Sequence, residues 1–340
     1  MILVTGGAGY FGEAVVRNLL HKGEKVRVFD LSILDGYSDV ENRQGDIRNY
    51  DDIRDACEGV SVIHHNVAQV PLAKDRSLFD SVNRLGTQNI LRAALDAGVK
   101  KVVYTSSSAV FGIPKENPVT EETAPNPREA YGKAKYEGEI ACRAFAKDGL
   151  DVSIVRPRTV LGHGRLGIFQ ILFEWIRNGY NIPVLGNGHN IYQFVHADDL
   201  AEACVLAGFR PGPEVYNIGA LEYGTMRETL SALCEHADTG SRVKSLPRVP
   251  LEIVMAVSSS LNISPLGAYH TLMYGKSMYF DVRKAQKELD WTPKYSNVEM
   301  IKESYDWYIK NRDEIAKNSA ASPHRSAVKE GALSMLKYIL

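Results

Sequence analysis

The stretch AYGKAKYEGE, Ala130 to Glu139, sets Tyr131 and Lys135 four residues apart. On a helix that spacing stacks both side chains on one face. Such a pair is either a solvated surface feature that covers apolar neighbours or a proton-transfer unit. A second local pattern bears on the choice. VTGGAGYFGEAVVRNLL follows an apolar run at the N-terminus and opens an amphipathic one, with Gly6, Gly9 and Gly12 flanking Tyr10 and Phe11. Glycines there let backbone N–H groups approach a pyrophosphate at a helix N-terminus, where the partial positive charge favours an anion. The second apolar run ends VRVFD at Asp30. A carboxylate about 20 residues beyond the glycines can accept hydrogen bonds from the adenosine ribose hydroxyls. It would also repel a 2′-phosphate, so NAD is expected over NADP. Asp46, with Ile47 in QGDI, is a candidate border of the adenine.

These residues need a frame. Strands are expected at 2–5, 25–30, 61–65, 101–106 and 151–156, and helices near 10–22, 50–58, 75–98 and 129–148. Alternating β and α with buried strands predicts an α/β, doubly wound parallel sheet covered on both faces. After Pro157 the order loosens: helices are expected near 165–178, 198–208, 225–237, 283–289 and 297–315, and strands near 192–196 and 214–218. The expected division is a Rossmann domain over 1–157, mainly a smaller substrate-binding lobe over 158–315, and a tail over 316–340. Some later segments would return to the first domain.

The bulk numbers exclude several classes. The 340 residues carry a formal charge of −1, which gives no electrostatic case for nucleic acid or an anionic membrane surface. The longest apolar runs fall short of the ~18–20 residues of a span. Cys57, Cys142, Cys204 and Cys234 are scattered without metal-ligand spacing, so reduced thiols are expected. His64 and His65 are adjacent on a strand and point to opposite faces, so no metal site is read. The chain opens on a strand with no basic leader before an apolar core, and a cytoplasmic protein is expected.

The ordered series TGGAGYFG (5–12), VIHHNVAQV (62–70), VNRLGTQNIL (82–91), YTSSSAVFG (104–112), AYGKAK (130–135), FVHADDLAEA (194–203) and FDVRKAQKELDWTP (280–293) resembles the extended short-chain dehydrogenase/reductase family, also called the NAD-dependent epimerase/dehydratase family. The resemblance implies a Tyr-x-x-x-Lys pair working with a hydroxyl residue at the end of the fifth strand, here Tyr131, Lys135 and Ser107. A free tyrosine titrates near about 10, too high for an efficient base at neutral pH. A nearby ammonium favours the phenolate. Lys135 would also hold the nicotinamide ribose, and Ser107 would orient the reacting oxygen. Members that eliminate water carry Asp-Glu after the hydroxyl residue. Here Ser108 and Ala109 stand there, which argues against that chemistry.

The resemblance also places Val67 and Ala68 beside the cofactor and Asn83 on the helix next to the site. On the substrate side the sequence departs. RPRTVLGHG has Thr159 for an asparagine, and NIYQFVHADD has Tyr192 for the arginine that grips a diphosphate in nucleotide-sugar enzymes. A second such arginine is also missing; Arg158, Arg165 and Lys276 are candidate replacements. With Ser107 and Ser108, the expected substrate-side set is Asn83, Thr159, Arg165 and Tyr192. The apolar insertion 248–275 is similar to that of 3β-hydroxysteroid dehydrogenases. The expectation is an NAD-dependent sugar epimerase working through a transient ketone, with a net oxidoreductase of a hydrophobic alcohol as the alternative. A homodimer through the helices near 75–98 and 129–148 follows from the resemblance, with a small-molecule substrate as the other partner.

Overall fold

The computed structural model describes residues 1–69, 78–164, 169–247 and 273–317. Arg165, positions 248–272 of the insertion and the tail from 318 lie outside the described residues. The strands are β1 (Ile2–Thr5), β2 (Val26–Asp30), β3 (Val40–Gln44), β4 (Val62–His65), β5 (Lys101–Thr105), β6 (Val152–Pro157), β7 (Thr159–Leu161), β8 (Ile182–Leu185), β9 (Ile191–Tyr192), β10 (Phe194–His196), β11 (Val215–Ile218), β12 (Gly224–Thr225) and β13 (Val243–Leu246). A seven-stranded sheet runs in the order β11-β6-β5-β4-β1-β2-β3, and every pairing in it is parallel. The central strands are buried on both faces, which is why they read as continuous apolar runs. The order reverses direction between β1 and β4, and in an open α/β sheet ligands bind at the carboxyl ends beside such a switch.

The helices are α1 (Tyr10–His21), α2 (Tyr50–Ala56), a π-helical segment Phe79–Leu85, α3 (Gly86–Asp96), a 3-10 turn Ser108–Phe111, α4 (Ala130–Lys147), α5 (Phe169–Arg177), α6 (Ala197–Phe209), α7 (Met226–Ala237), α8 (Arg283–Leu289) and α9 (Asn297–Lys317). On one face of the sheet Ala14, Val15, Val16 and Leu19 of α1 share a core with Ala201 and Val205 of α6. On the other, Ile90, Leu91 and Ala94 of α3 and Ala141 and Cys142 of α4 pack on Val102, Tyr104 and Ile154. A further core joins Phe173 and Ile176 of α5, Leu230 and Leu233 of α7, and Met300, Ile301 and Tyr305 of α9. The four cysteines are buried free thiols, and among the described residues no helix is long and apolar enough to cross a membrane.

Four expectations change. The polar run VENRQ was not anticipated as a strand, yet it is β3 at the sheet edge, where half-exposed side chains dilute the apolar signal. The single helix over 75–98 becomes, in its described part, the π-helical Phe79–Leu85 followed by α3. The strand over 192–196 is divided at Gln193, whose buried side chain donates to Ala220 O and accepts from Phe280 N. The short β7, β8 and β13 were also not anticipated: each is only three or four residues long.

Candidate active site

The glycine loop leaves β1 at Gly6, whose φ of +71° suits glycine. A Cβ on Gly12 would lie 1.9 Å from Gly6 O, so residue 12 must be glycine for the loop to close on α1. Gly9 is the N-cap of α1 and supplies no side-chain cap, which leaves the first-turn N–H groups for an anion. Asp30 at the end of β2 accepts from Ala8 N and Ser32 N, both at 3.2 Å. Burial pushes its carboxyl up, while these N–H groups pull it back down. The backbone of Val67, after β4, passes 3.2 Å from the Cβ position of Gly6, so the loop and the β4 exit form one cleft. Ala68 lies half-buried in that exit. These features fit a dinucleotide whose pyrophosphate sits on α1 and whose ribose faces Asp30.

Other expected cofactor residues are engaged within the protein. Asp46 forms an ion pair with Arg48. Ile47 is buried against Gly86. Tyr10 is buried with its hydroxyl near Gly162, and Phe11 packs between two cores. We expect Gly12→Ala to purify without NAD and with a lower melting temperature, the overpacking alone costing about 1–3 kcal/mol. Gly9→Ala, whose Cβ would meet Gly6 O at 3.2 Å, should lose less on both measures.

The residues expected to transfer the proton stand on α4. Glu129 caps this helix, accepting from Tyr131 N at 2.8 Å and Gly132 N at 2.6 Å. Two glycines let α4 press onto the elements below it: a Cβ on Gly132 would meet Ala109 O at 2.5 Å, and one on Gly138 would meet the Tyr104 hydroxyl at 2.3 Å. The buried stripe is therefore Tyr131, Lys135 and Glu139, at successive intervals of four. Lys135 Nζ donates to Thr105 O at 2.8 Å and lies 4.9 Å from the Tyr104 ring centroid. Burial brings its ammonium down to about 8. Tyr131 is 9% exposed and meets Phe79 edge-on, with centroids 6.1 Å apart. Ser107 follows β5, is half-buried, and caps the 3-10 turn by accepting from Ala109 N at 3.2 Å. Tyr131 and Lys135 are thus a buried pair on the face of α4 that covers the end of β5, where Ser107 lies.

Glu139, which the sequence did not single out, anchors this assembly. It accepts from Arg156 Nε at 2.8 Å and Nη2 at 2.7 Å, and from Ser106 Oγ at 2.7 Å. Its place at the end of the Tyr–Lys stripe was the available signal.

Keeping Lys135 buried costs stability. A lysine at about 8 in the fold against about 10.4 unfolded binds fewer protons when folded. Stability therefore rises with pH between those values, and the whole penalty is present below about 8. Lys135→Met is expected to be more stable than the parent near pH 7 by on the order of 2 kcal/mol, after allowing for the lost bond to Thr105 O. The advantage should shrink as pH rises through 8 toward 10, read by thermal or urea unfolding of the NAD-free proteins.

The residues expected on the substrate side divide. Ser108, Thr159 and Tyr192 are brought together: Thr159 Oγ1 and the Tyr192 hydroxyl are 2.8 Å apart, and Arg158, stacked 4.8 Å over the Tyr192 ring, donates from Nη1 to Ser108 Oγ at 2.9 Å. Asn83 is turned to the loop after β4: its Oδ1 accepts from Gln69 N at 2.7 Å and its Nδ2 donates to Gln69 O at 3.0 Å. The two histidines of β4 do face opposite ways. His64 sits against Gly208 of α6, and His65 bridges Thr5 and Thr87. Burial drives them down to about 4 and about 3, so both are neutral at pH 7. His163, His196 and Asp198 bring ligand-type atoms within 4.8 Å of one another; Glu303 lies 3.1 Å from both imidazoles and is hydrogen-bonded to His163, and Asp198 pairs with Arg17.

A glycine loop at the sheet's switch point, with a buried Tyr–Lys pair beyond it, defines a dinucleotide-binding protein of the doubly wound class. Residues 2–219 match the NAD dependent epimerase/dehydratase family, and the chain belongs to it. It is 55% identical to the protein y4nG of Sinorhizobium fredii over 99% of this chain and 86% of that one. It is 26% identical to a 3 beta-hydroxysteroid dehydrogenase/Delta 5-->4-isomerase of Mycobacterium tuberculosis, covering 96% and 95%, and 28% identical to a putative UDP-glucose 4-epimerase of Methanocaldococcus jannaschii, covering 92% and 99%. Among solved structures, MoeE5 in complex with UDP-glucose and NAD superposes with a TM-score of 0.74 at 26% identity, covering 92% of this chain and 99% of that one. The cofactor is NAD.

Proposed function

We propose that this protein oxidises a secondary alcohol at the Ser107–Tyr131–Lys135 site and, as an epimerase of a sugar, reduces the resulting ketone from its other face. The observation that carries this reading is the burial of the Tyr131–Lys135 stripe on the face of α4 that covers the end of β5. Bound NAD supplies the hydride acceptor and donor. The chain supplies the rest. Tyr131 takes the hydroxyl proton and later returns it, Lys135 holds the phenolate form by its charge, and Ser107 orients the oxygen. Ser108 and Ala109, in place of two carboxylates, argue against elimination of water. The nucleotide-sugar relatives support a sugar substrate, and the exposed Ile140 on α4 suits the expected homodimer.

A second reading, net oxidation or reduction of a hydrophobic substrate, draws on the Thr159–Tyr192 hydroxyl pair, which stands where a diphosphate-gripping arginine was expected. The two separate in one experiment. Purified protein is incubated with UDP-sugars, sugars and lipophilic alcohols while NADH absorbance and product stereochemistry are followed. Isomerised sugar without net NADH supports the epimerase. Stoichiometric NADH from a lipophilic alcohol, with no UDP-sugar isomerised, overturns it in favour of the second reading.

A further inference from the structure

Arg158 and Arg156 lie two residues apart around the end of β6 and are each 1% exposed. Arg156 uses the side-on Nε/Nη2 edge of its guanidinium to grip the Glu139 carboxylate at 2.8 and 2.7 Å. Arg158 donates only from Nη1, to Ser108 Oγ. Its Nε and Nη2 are buried without a hydrogen-bond partner, and among the described residues no carboxylate lies within ion-pair distance. The other deeply buried guanidinium is neutralised: Arg27 pairs with Glu41 and donates to Ala56 O and Glu58 O. Lys101 likewise pairs with Asp151. Stacking on Tyr192 and Phe280, at 4.8 and 5.7 Å, offsets part of the cost of Arg158. A buried cation with two orphan donors remains expensive unless an anion meets it.

The position of that fork is informative. Its one bonded partner, Ser108, directly follows Ser107, and successive Cα atoms are about 3.8 Å apart. Its stacking partner, Tyr192, is bonded to Thr159. We infer that Arg158 is a substrate-binding residue whose Nε/Nη2 edge takes a carboxylate carried a few bonds from the reacting carbinol carbon. The substrate class is a hydroxy carboxylate: a uronic acid if the substrate is a sugar, a hydrophobic hydroxy acid if it is not. The inference rests on the reading of the Ser107–Tyr131–Lys135 site given above. Planar bidentate geometry explains why arginine stands here, since a lysine cannot present two parallel donors to one carboxylate.

The test uses the NAD-loaded protein and two matched pairs: UDP-glucuronate against UDP-glucose, and 3-hydroxydecanoate against its methyl ester. Calorimetric affinity is measured for the parent, Arg158→Met and Arg158→Lys. The acid of one pair should bind the parent at least about tenfold more tightly than its neutral counterpart, as expected for charge-assisted bonds in a buried site. Which pair responds tells the sugar source from the hydrophobic one. Arg158→Met should abolish the preference, and Arg158→Lys should retain only part of it. The comparison within the parent needs no variant to fold. No preference for either acid in the parent, or an unchanged preference in Arg158→Met, overturns the inference. Hydride transfer is scored separately on the same ligands. An Arg158-dependent preference without any hydride transfer would sink the catalytic reading alone, and turnover of neutral substrates indifferent to Arg158 would sink the carboxylate inference alone.

Discussion

Tyr131→Phe is expected to lower turnover by about 10²–10⁴-fold, the range for loss of a positioned acid–base group, while bound NAD and melting temperature stay near those of the parent. The phenyl ring keeps its edge contact with Phe79, and the backbone N–H of residue 131 still donates to Glu129. What disappears is the hydroxyl proposed to receive the substrate proton. Lys135 remains in place through Thr105 O, so the charge at the site is unchanged. Hydride transfer from a deuterated substrate, measured in a single turnover, reads the step directly. Parent-level transfer in this variant would remove Tyr131 from the chemistry and leave the buried pair without a catalytic role.

The second large effect concerns stability. Glu139→Gln is expected to destabilise the protein by about 3–5 kcal/mol, the cost of leaving a buried charge without its partner. Arg156 has a carboxylate on its Nε/Nη2 edge, and an amide would turn an N–H group toward one of those donors. Burial raises the Glu139 carboxyl, but bonds from Arg156 and Ser106 outweigh it and the net shift is downward. A carboxyl lowered by folding stabilises above its unfolded range, and that contribution is lost as pH falls through the folded value. The difference between parent and variant should therefore be greatest near neutrality and narrow in acid. Urea unfolding at several pH values measures it. The double variant Glu139→Leu, Arg156→Met should recover much of the loss, because an apolar pair of similar volume has no charge to desolvate.

What could be read in the sequence was local. The glycine loop, Asp30 and the Tyr–Lys spacing each lie within one element or one turn, and the sheet they need is announced by its apolar strands. Ser107 followed from the motif series, because a hydroxyl at a strand end says little by itself. The rest depended on residues far apart in the chain. Arg158 meets Ser108, 50 residues earlier, and Thr159 meets Tyr192, 33 residues later. Nothing in RPRTVLG tells that one arginine has a carboxylate and the other does not. The edge strand β3 escaped notice because its side chains are half in water. Asn83 was placed beside the site, and its amide proved to hold the loop at Gln69.

The packing of α1 on α6 has a consequence for how the chain is made. The helix that begins at the glycine loop buries Val15, Val16 and Leu19 beside Ala201 and Val205, and Arg17 reaches Asp198 at 2.5 Å. The cofactor loop is synthesised well before α6, so one wall of its helix is delivered only when synthesis has reached Phe209. Contacts so distant in sequence form late, after the loop-closure cost has been met. A nascent chain stopped at the end of β6 would lack the part of the α1 core that Ala201 and Val205 supply. Competence to hold NAD should therefore arise only after α6 and β11, which closes the sheet, have both been synthesised.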